Sequence, residues 1–452
     1  MLLQPANTIP VPVGKARIPA LTENAFLRYF SFAILYVAQG IPEGMTFFGI
    51  PAWLAMNGKT PAQIGTYAGV MALPWSFKIL VAPLMDRFTF LPMGRRRPWV
   101  LVGQFGLMAS FIFMAFISHP LDNLNVLMAS AFCISFFGAF QDVAVDGMAI
   151  DVVPLDQQAR ANGVMWGAKT IGTSISLVTG TWMINHVSFH YAIISLSVAV
   201  CLIMLVPIMV RERPGEKMLP WTKGITSPFA AKIQLENFAE IFKSLFRVFL
   251  LPSSFFLGVV FFVIQIAFGL MDTLLPVFTI QGVGWTNAEY SSVYSVVNIG
   301  SGFLGMIAGG LLADKFGKRK MMSIYLSVFA ILVTAMFLLK MFWHRDILVE
   351  AFIGIYCLIY VFFCIGAFAT GMELCWRRVA ATQFTLYMAI SNLGRAIGAG
   401  LLGRLHAHLS WEYVILTEAA FAIIAILLLQ FIRVHHHVSR VSLLEHKMQE
   451  QH

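Results

Sequence analysis

The chain is most constrained by the recurrence of apolar runs about as long as a bilayer is thick. Runs near 26-54, 63-85, 98-118, 124-150, 161-184, 189-210, 253-279, 289-313, 321-342, 348-373, 382-405 and 412-433 each reach roughly the 20 residues that a helix needs to cross about 30 Å of hydrocarbon. With 58% hydrophobic residues and 12% charged, and a mean hydropathy of +0.77, a water-soluble fold with a polar exterior is excluded. The expected fold class is an all-α, multi-pass membrane protein with twelve transmembrane helices. The first 25 residues are polar and proline-rich, and no small-residue cleavage site follows the first apolar run, so that run is expected to stay as span 1.

Charge sets the expected orientation. When loops are assigned alternately to two sides, one side collects 24 of the 31 Lys and Arg, including the N-terminus, the 2/3 loop, the central loop, the 8/9 loop and the C-terminal tail. By the positive-inside rule both termini are expected in the cytoplasm. The formal charge of +9 then follows from topology and from anionic lipid, so no nucleic-acid partner is expected. The five Cys all lie in or at the ends of apolar spans and read as packing residues, with neither a paired framework nor metal spacing.

An internal repeat organises the chain. Span 2 ends in APLMDRFTFLPMGRRRPW and span 8 in GGLLADKFGKRK, with Asp86 and Asp314 228 positions apart. Gly138-Ala-Phe140 and Gly366-Ala-Phe368 repeat at the same offset, and Glu43 and Asp272 at 229. The expected organisation is a tail (1-25), a six-helix bundle (26-210), a charged linker (211-250), a second six-helix bundle (251-433) and a tail (434-452), the plan of secondary transporters, whose sites lie between repeats. Within the linker, KIQLENFAEIFKSLFRVFL (232-250) alternates apolar and charged residues at helical spacing and is expected to lie on the membrane surface.

Gly310-Leu-Leu-Ala-Asp-Lys-Phe-Gly-Lys-Arg-Lys320 resembles the loop signature of the major facilitator superfamily, and Asp86-Arg87 with Gly94-Arg-Arg-Arg97 is its looser first-half copy. An acid at a helix end can accept bonds from the other half and from an Arg of its own, closing the cytoplasmic side until the halves rock. Asp86, Arg87, Gly94, Arg95, Asp151, Asp314, Gly317, Lys318 and Arg319 are the expected gate. Asp151 is expected to meet Arg87 or Arg95.

A narrower similarity covers spans 1 to 5. Phe77-Lys-Ile-Leu-Val-Ala-Pro-Leu-Met-Asp-Arg87, GRRRPW and Gln141-Asp-Val-Ala-Val-Asp146 resemble the AmpG-type muropeptide permeases and the related acetyl-coenzyme A transporter family. That resemblance implies proton-coupled import of a bulky polar solute across the cytoplasmic (inner) membrane. It makes protons, a small-molecule substrate and the lipid bilayer the expected partners of a monomer without cofactor or metal.

Ionisable side chains inside a span cost several kcal/mol unless they face protein or water, which makes each a functional candidate. Lys78 lies eight residues, about 12 Å at 1.5 Å per residue, from Asp86; Asp142 and Asp146 lie at matching depth above Asp151. A Lys78 pair with Asp142 or Asp146 is expected, serving as a charge relay or as fixed packing. Glu43 and Asp272 sit beside helix breakers (Pro42, Gly44, Pro51; Gly269, Pro276), where open backbone builds transport sites, and either carry charge or satisfy freed amides. Lys169 with Trp166 one turn before it, and Arg395 in the other half, suit a substrate carboxylate or phosphate; both also have the reach to snorkel. Gln39, Gln141, Gln265, Asn298 and Asn392 suit sugar or peptide groups or interhelical bonds. His435, His436 and His437 are expected to be solvated in the tail.

Other classes fit less well. A siderophore or coenzyme A thioester suits the same basic and aromatic side chains, and a drug or metabolite exporter shares the fold, although span 5 (GVMWGAKTIGTSISLVTG) lacks the Gly-Pro pair typical of antiporters. No nucleophile or His/Glu metal constellation lies in a span, and no GxxxxGK[ST] loop occurs, so neither an enzyme nor a nucleotide-driven pump is expected.

Overall fold

The structure, a computed structural model, describes residues 20–154, 157–226, 238–376 and 379–449. Its first half runs α1 (Ala25–Pro42), a π-helical turn (Glu43–Gly49), α2 (Ile50–Met56), α3 (Pro61–Ala72), α4 (Lys78–Arg87), α5 (Arg97–Ala115), α6 (Leu124–Val152), α7 (Gln158–His186) and α8 (Phe189–Met209). After the linker helix α9 (Phe238–Phe249) come α10 (Pro252–Val277), α11 (Asn287–Leu304), α12 (Gly310–Phe316), α13 (Lys318–Leu338), α14 (Asp346–Glu373), α15 (Ala380–His406), α16 (Trp411–Leu429) and α17 (Val434–Gln449). Among the described residues nine helical spans are long and apolar enough to cross a membrane. The helices at the expected spans 1, 5 and 11 fall outside those nine, and they carry Glu43, Lys169 and Arg395.

Large apolar side chains cover the outside. Phe105, Phe113, Ile150, Leu202, Ile331 and Leu427 are all exposed, a surface that a hydrocarbon solvent stabilises and water does not.

The repeat is visible in how helices start and how they pack. Thr60 and Thr286, each opening the second helical stretch of its half, form matching capping boxes with Gln63 and Glu289, which satisfy orphan N–H groups at the helix start. Inside, α1 packs on α7 and α10 packs on α15. A Cβ on Gly40 would strike the Lys169 carbonyl, and one on Gly269 would strike the Arg395 carbonyl. Glycine at these two places lets the backbones touch. The contact brings the cation of one helix beside the acid one turn further along its neighbour.

Of two peripheral elements, one departs from expectation. The linker helix is described only over Phe238–Phe249, residues 232–237 lying outside the described residues; Phe242 and Phe246 are exposed while Val248 packs against Trp376 and Val379. In the tail, His437 is not solvated. It is buried, its Nε2 2.8 Å from the Leu374 carbonyl, because α17 folds back onto the end of α14.

Candidate functional site

Four charged side chains meet where the halves face each other. Pro42 has no N–H to give the helix, and at Glu43 the winding widens into a π turn, with the Thr46 hydroxyl donating to the Pro42 carbonyl at 2.6 Å. The widened turn carries Glu43 toward α7, where its Oε2 lies 3.0 Å from Lys169 Nζ. The second half repeats the arrangement: Arg395 Nε of α15 donates to Asp272 Oδ2 of α10 at 2.7 Å. The two pairs are joined across the halves, with Arg395 Nη1 3.7 Å from Glu43 Oε1. Two cations and two carboxylates balance, the condition for keeping charge in a low-dielectric interior. Tyr356 donates to Asp272 Oδ1 at 3.3 Å, and the Arg395 guanidinium lies 4.7 Å from the Phe47 ring centre.

Both acids thus pair with cations rather than with freed backbone amides. Neither Lys169 nor Arg395 snorkels: each is mostly buried and ion-paired. Lys169 lies 5.0 Å from the ring centre of Trp166 and 5.6 Å from that of Trp75, a cation–π setting. Trp166 is half exposed, its ring 6.5 Å from Phe368 of the other half. Trp75, Phe47 and Tyr356 escaped the sequence reading, because aromatic residues in an apolar span carry no signal that separates them from packing.

A second charged group lies inside the first half. Lys78 of α4 pairs with Asp142 of α6, and Tyr36 of α1 donates to Asp146. Lys78 also lies 4.5 Å from the Trp75 ring centre, so one indole is within cation–π reach of both lysines. The neutral candidates are spread out. Gln141 Nε2 donates to the Leu35 carbonyl at 3.3 Å, Asn298 Nδ2 to Ser174 Oγ at 3.4 Å and Asn392 Nδ2 to the Trp75 carbonyl at 3.3 Å. The buried Gln39 amide has no partner among the described residues. It lies one turn before Glu43 on α1.

The 2/3 loop end of the first half is locked by its linker. Asp151 lies 3.3 Å from Arg95 and 3.6 Å from Arg96. The side chains of Asp86, Arg87 and Asp314 lie outside the described residues. Glu212, read from sequence only as linker, is buried and accepts from the backbone N–H groups of Arg95 at 3.0 Å, Arg96 at 2.8 Å and Arg97 at 2.5 Å. Gly94 makes this nest with φ 107°, and a Cβ there would lie 2.7 Å from the Glu212 carboxyl. Arg97 in turn donates to the carbonyls of Pro207, Ile208 and Lys217 at 2.5, 2.9 and 2.7 Å. Burial raises the Glu212 carboxyl above its usual range. Burial, and then the Glu212 charge, push Glu216 up to about 7. In the second half Gly317 has φ 89°, Lys318 lies 2.9 Å from Glu373, and Arg319 donates to the Ile432 carbonyl at 3.1 Å.

At the opposite end, neutral groups join the halves. Gln281 Nε2 donates to the carbonyls of Ala55 at 3.0 Å and Lys59 at 2.8 Å. Asn185 and Asn287 exchange bonds at 2.8 and 2.9 Å, Thr181 and Ser291 hydroxyls lie 2.9 Å apart, and Ser174 and Ser295 each donate to the other's carbonyl at 3.3 Å. The Phe48 and Tyr294 rings are 4.5 Å apart. This end is shut.

The chain matches the family model described as Major Facilitator Superfamily over residues 32–385. It is 25% identical over 402 residues to the anhydromuropeptide permease of Escherichia coli K12, covering 88% of this chain and 78% of that protein. Among solved structures, the nucleoside transporter NupG superposes with a TM-score of 0.64 at 12% identity over 89% of this chain and 98% of that one. A bacterial homolog of the human lysosomal transporter Spinster, in an inward-facing and unoccupied conformation, superposes with a TM-score of 0.65 at 15% identity over 92% and 98%. With matched helix caps, matched acid–cation pairs in each half and this coverage, the chain belongs to the Major Facilitator Superfamily, a family of membrane transporters and not of enzymes.

Proposed function

We propose that this transporter imports a bulky polar solute, an anhydromuropeptide or a close chemical relative, with protons by alternating access. The observation that carries the reading is Arg395 held between Asp272 of its own half and Glu43 of the other. An ion pair that joins two halves must be exchanged when they rock. A proton on Glu43 frees Lys169 and breaks the contact by which Arg395, still held by Asp272, crosses between the halves; Lys169 then faces a solute carboxylate or phosphate, with Trp75 and Trp166 offering ring faces to a sugar or amide plane. The likeness to the anhydromuropeptide permease supports the solute class.

In this reading 26-210 and 251-433 are the two rocking bundles, both termini are cytoplasmic, and the shut end holding Gln281 and Asn287 faces outward. Lys78, Asp142 and Asp146 form the first half's own relay, with Gln39, Gln141, Asn298 and Asn392 beside the path. Arg95, Asp151, Lys318 and Arg319 act at the cytoplasmic gate together with Asp86, Arg87 and Asp314. Uptake of labelled anhydromuropeptide into vesicles, with and without a proton gradient, tests it. Accumulation that follows the gradient is expected; uptake indifferent to the gradient rejects proton coupling, and no uptake beside active uptake of a ferric siderophore or acetyl-coenzyme A rejects the solute.

A further inference from the structure

One ionisable group in the membrane interior has no role in the cluster above. Glu418 is on α16, in VILTEAAFAII, two turns inside the span. It is 0% exposed, and neither carboxyl oxygen has a hydrogen-bond partner among the described residues. Its neighbours along the helix face, Val414, Ile415, Ala422 and Ala425, are fully buried too. α16 packs on α10 and α13. α10 contributes Asp272, and Tyr356 of α14 lies within electrostatic range of both acids. From Met321 to Leu338 α13 has no charged residue, its one titratable side chain being Tyr325 near its start; α15, which meets α16 more lightly, contributes Arg395, bonded to Asp272.

Charge counting gives the state of this group. Lys169 and Arg395 are already balanced by Glu43 and Asp272. An ionised Glu418 would add an uncompensated charge where an unpaired carboxylate costs several kcal/mol, and such a group takes a proton instead. Removing the charge of Asp272 reverses the count, since the cluster is then one negative charge short.

We propose that Glu418 is a proton-binding site of the second half that exchanges with Asp272: the proton rests on Glu418 while Asp272 holds Arg395, and passes to Asp272 when that bond opens with Arg395 still in the cluster, so that Glu418 then supplies the charge that balances it. In that exchange an O–H bond breaks at Glu418 and one forms at Asp272. Glu418 has no bonded partner among the described residues in this state, so the transfer requires its carboxyl to swing into reach of Asp272, whose Oδ1 accepts from Tyr356. No other reactant is consumed. The role in transport rests on the proton-coupled reading above; the protonation state does not.

Infrared difference spectra of the full chain in detergent at neutral pH test the site without any solute. Wild type minus Glu418→Gln is expected to show the carbonyl stretch of one protonated carboxylic acid. In an Asp272→Asn background the same subtraction is expected to lose that band, because Glu418 ionises to replace the missing charge. Absence of the band in the first spectrum, or its persistence in the second, overturns the proposal.

The vesicle arm reads coupling. Glu418→Gln mimics the protonated acid and is expected to fold and to exchange solute, yet to lose about tenfold of the accumulation that one proton sustains per unit of pH difference. Full accumulation by Glu418→Gln with an unchanged pH profile overturns the exchange with Asp272. If wild-type uptake ignores the gradient, the coupling reading fails instead, and the two infrared spectra still decide the site. Should Glu418→Gln fold poorly, Tyr356→Phe leaves both acids in place and is expected to slow gradient-driven uptake while sparing the band.

Discussion

The seam between the halves and the interior of the first half use opposite chemistry. Across the seam's shut end the bonds are neutral, amide to amide and hydroxyl to carbonyl, and the ion pair that crosses is Glu43–Arg395. Inside the first half charged bonds recur beside neutral ones: Lys78–Asp142, Arg95–Asp151 and Glu212 beneath the Arg95–Arg97 amides. Neutral hydrogen bonds contribute about 0.5–1.5 kcal/mol each, because water competes well for both partners, whereas breaking a buried ion pair costs about 3–5 kcal/mol. A surface that must open in every cycle is therefore built from weak bonds, with the one ion pair across it among the described residues placed where a proton or a solute can replace a partner.

The largest effect is expected at that ion pair. Arg395→Gln leaves Asp272 without its cation and is predicted to lower uptake by at least about 100-fold, the kinetic equivalent of roughly 3 kcal/mol. Arg395→Lys keeps the charge but not the fork that reaches two acids, and should lose about tenfold, one charge-assisted bond. Uptake by the Lys variant at the wild-type rate would show that bridging the halves is irrelevant. Next comes the first-half pair. Asp142→Asn strands Lys78 and is predicted to lower stability by about 3 kcal/mol, and to stop gradient-driven accumulation while exchange continues. If thermal unfolding shifts but accumulation does not, Lys78–Asp142 is packing, and charge inside a half is separated from transport altogether.

The fold was legible because hydrocarbon leaves little freedom: apolar runs of span length and a repeat offset near 228 are properties of sequence alone. Candidate residues were legible for the same reason, each being a charge where charge is costly. Partners were not. Lys169 was readable as a substrate ligand with Trp166, but pairing it with Glu43 needs the backbone contact at Gly40, which is a property of two helices. Glu212 hid among linker charges, and only the fold shows three amides converging on it. Glu418 was in plain view as an acid inside an apolar span, yet it has no repeat partner and no breaker beside it, the two signals by which Glu43 and Asp272 stood out.

The linker lock sharpens the contrast on the stability side. The Glu216 carboxyl titrates near 7 in the folded chain against about 4.5 when free. Below about 4.5 both states hold the proton and the contribution is complete; between there and about 7 only the folded state keeps it, so stability falls as pH rises through that window. The thermal midpoint in detergent is expected to drop by a few degrees from about pH 5 to about pH 8, and Glu216→Gln should flatten that slope. Gly94→Ala, which needs a left-handed φ and meets the Glu212 carboxyl, should cost about 1–3 kcal/mol at every pH. A pH slope unaffected by Glu216→Gln would place the titration elsewhere.

The smallest effect is expected at the neutral seam, and it tests the idea from the other side. Asn287→Ala removes both bonds to Asn185. It leaves the charged cluster untouched. At about 1 kcal/mol per bond, less what water returns to Asn185, the balance between shut and open ends should move roughly fivefold toward open. Spin labels at Asn57→Cys and Ala288→Cys, on exposed positions flanking the shut end, report that as a growing long-distance population without loss of fold. A shift as large as that of Arg395→Gln would mean that the asparagines, not the ion pair, hold the halves together. No shift at all would mean that apolar contacts such as Phe48 on Tyr294 keep this end shut, with the hydrogen bonds merely satisfying groups that closure has buried.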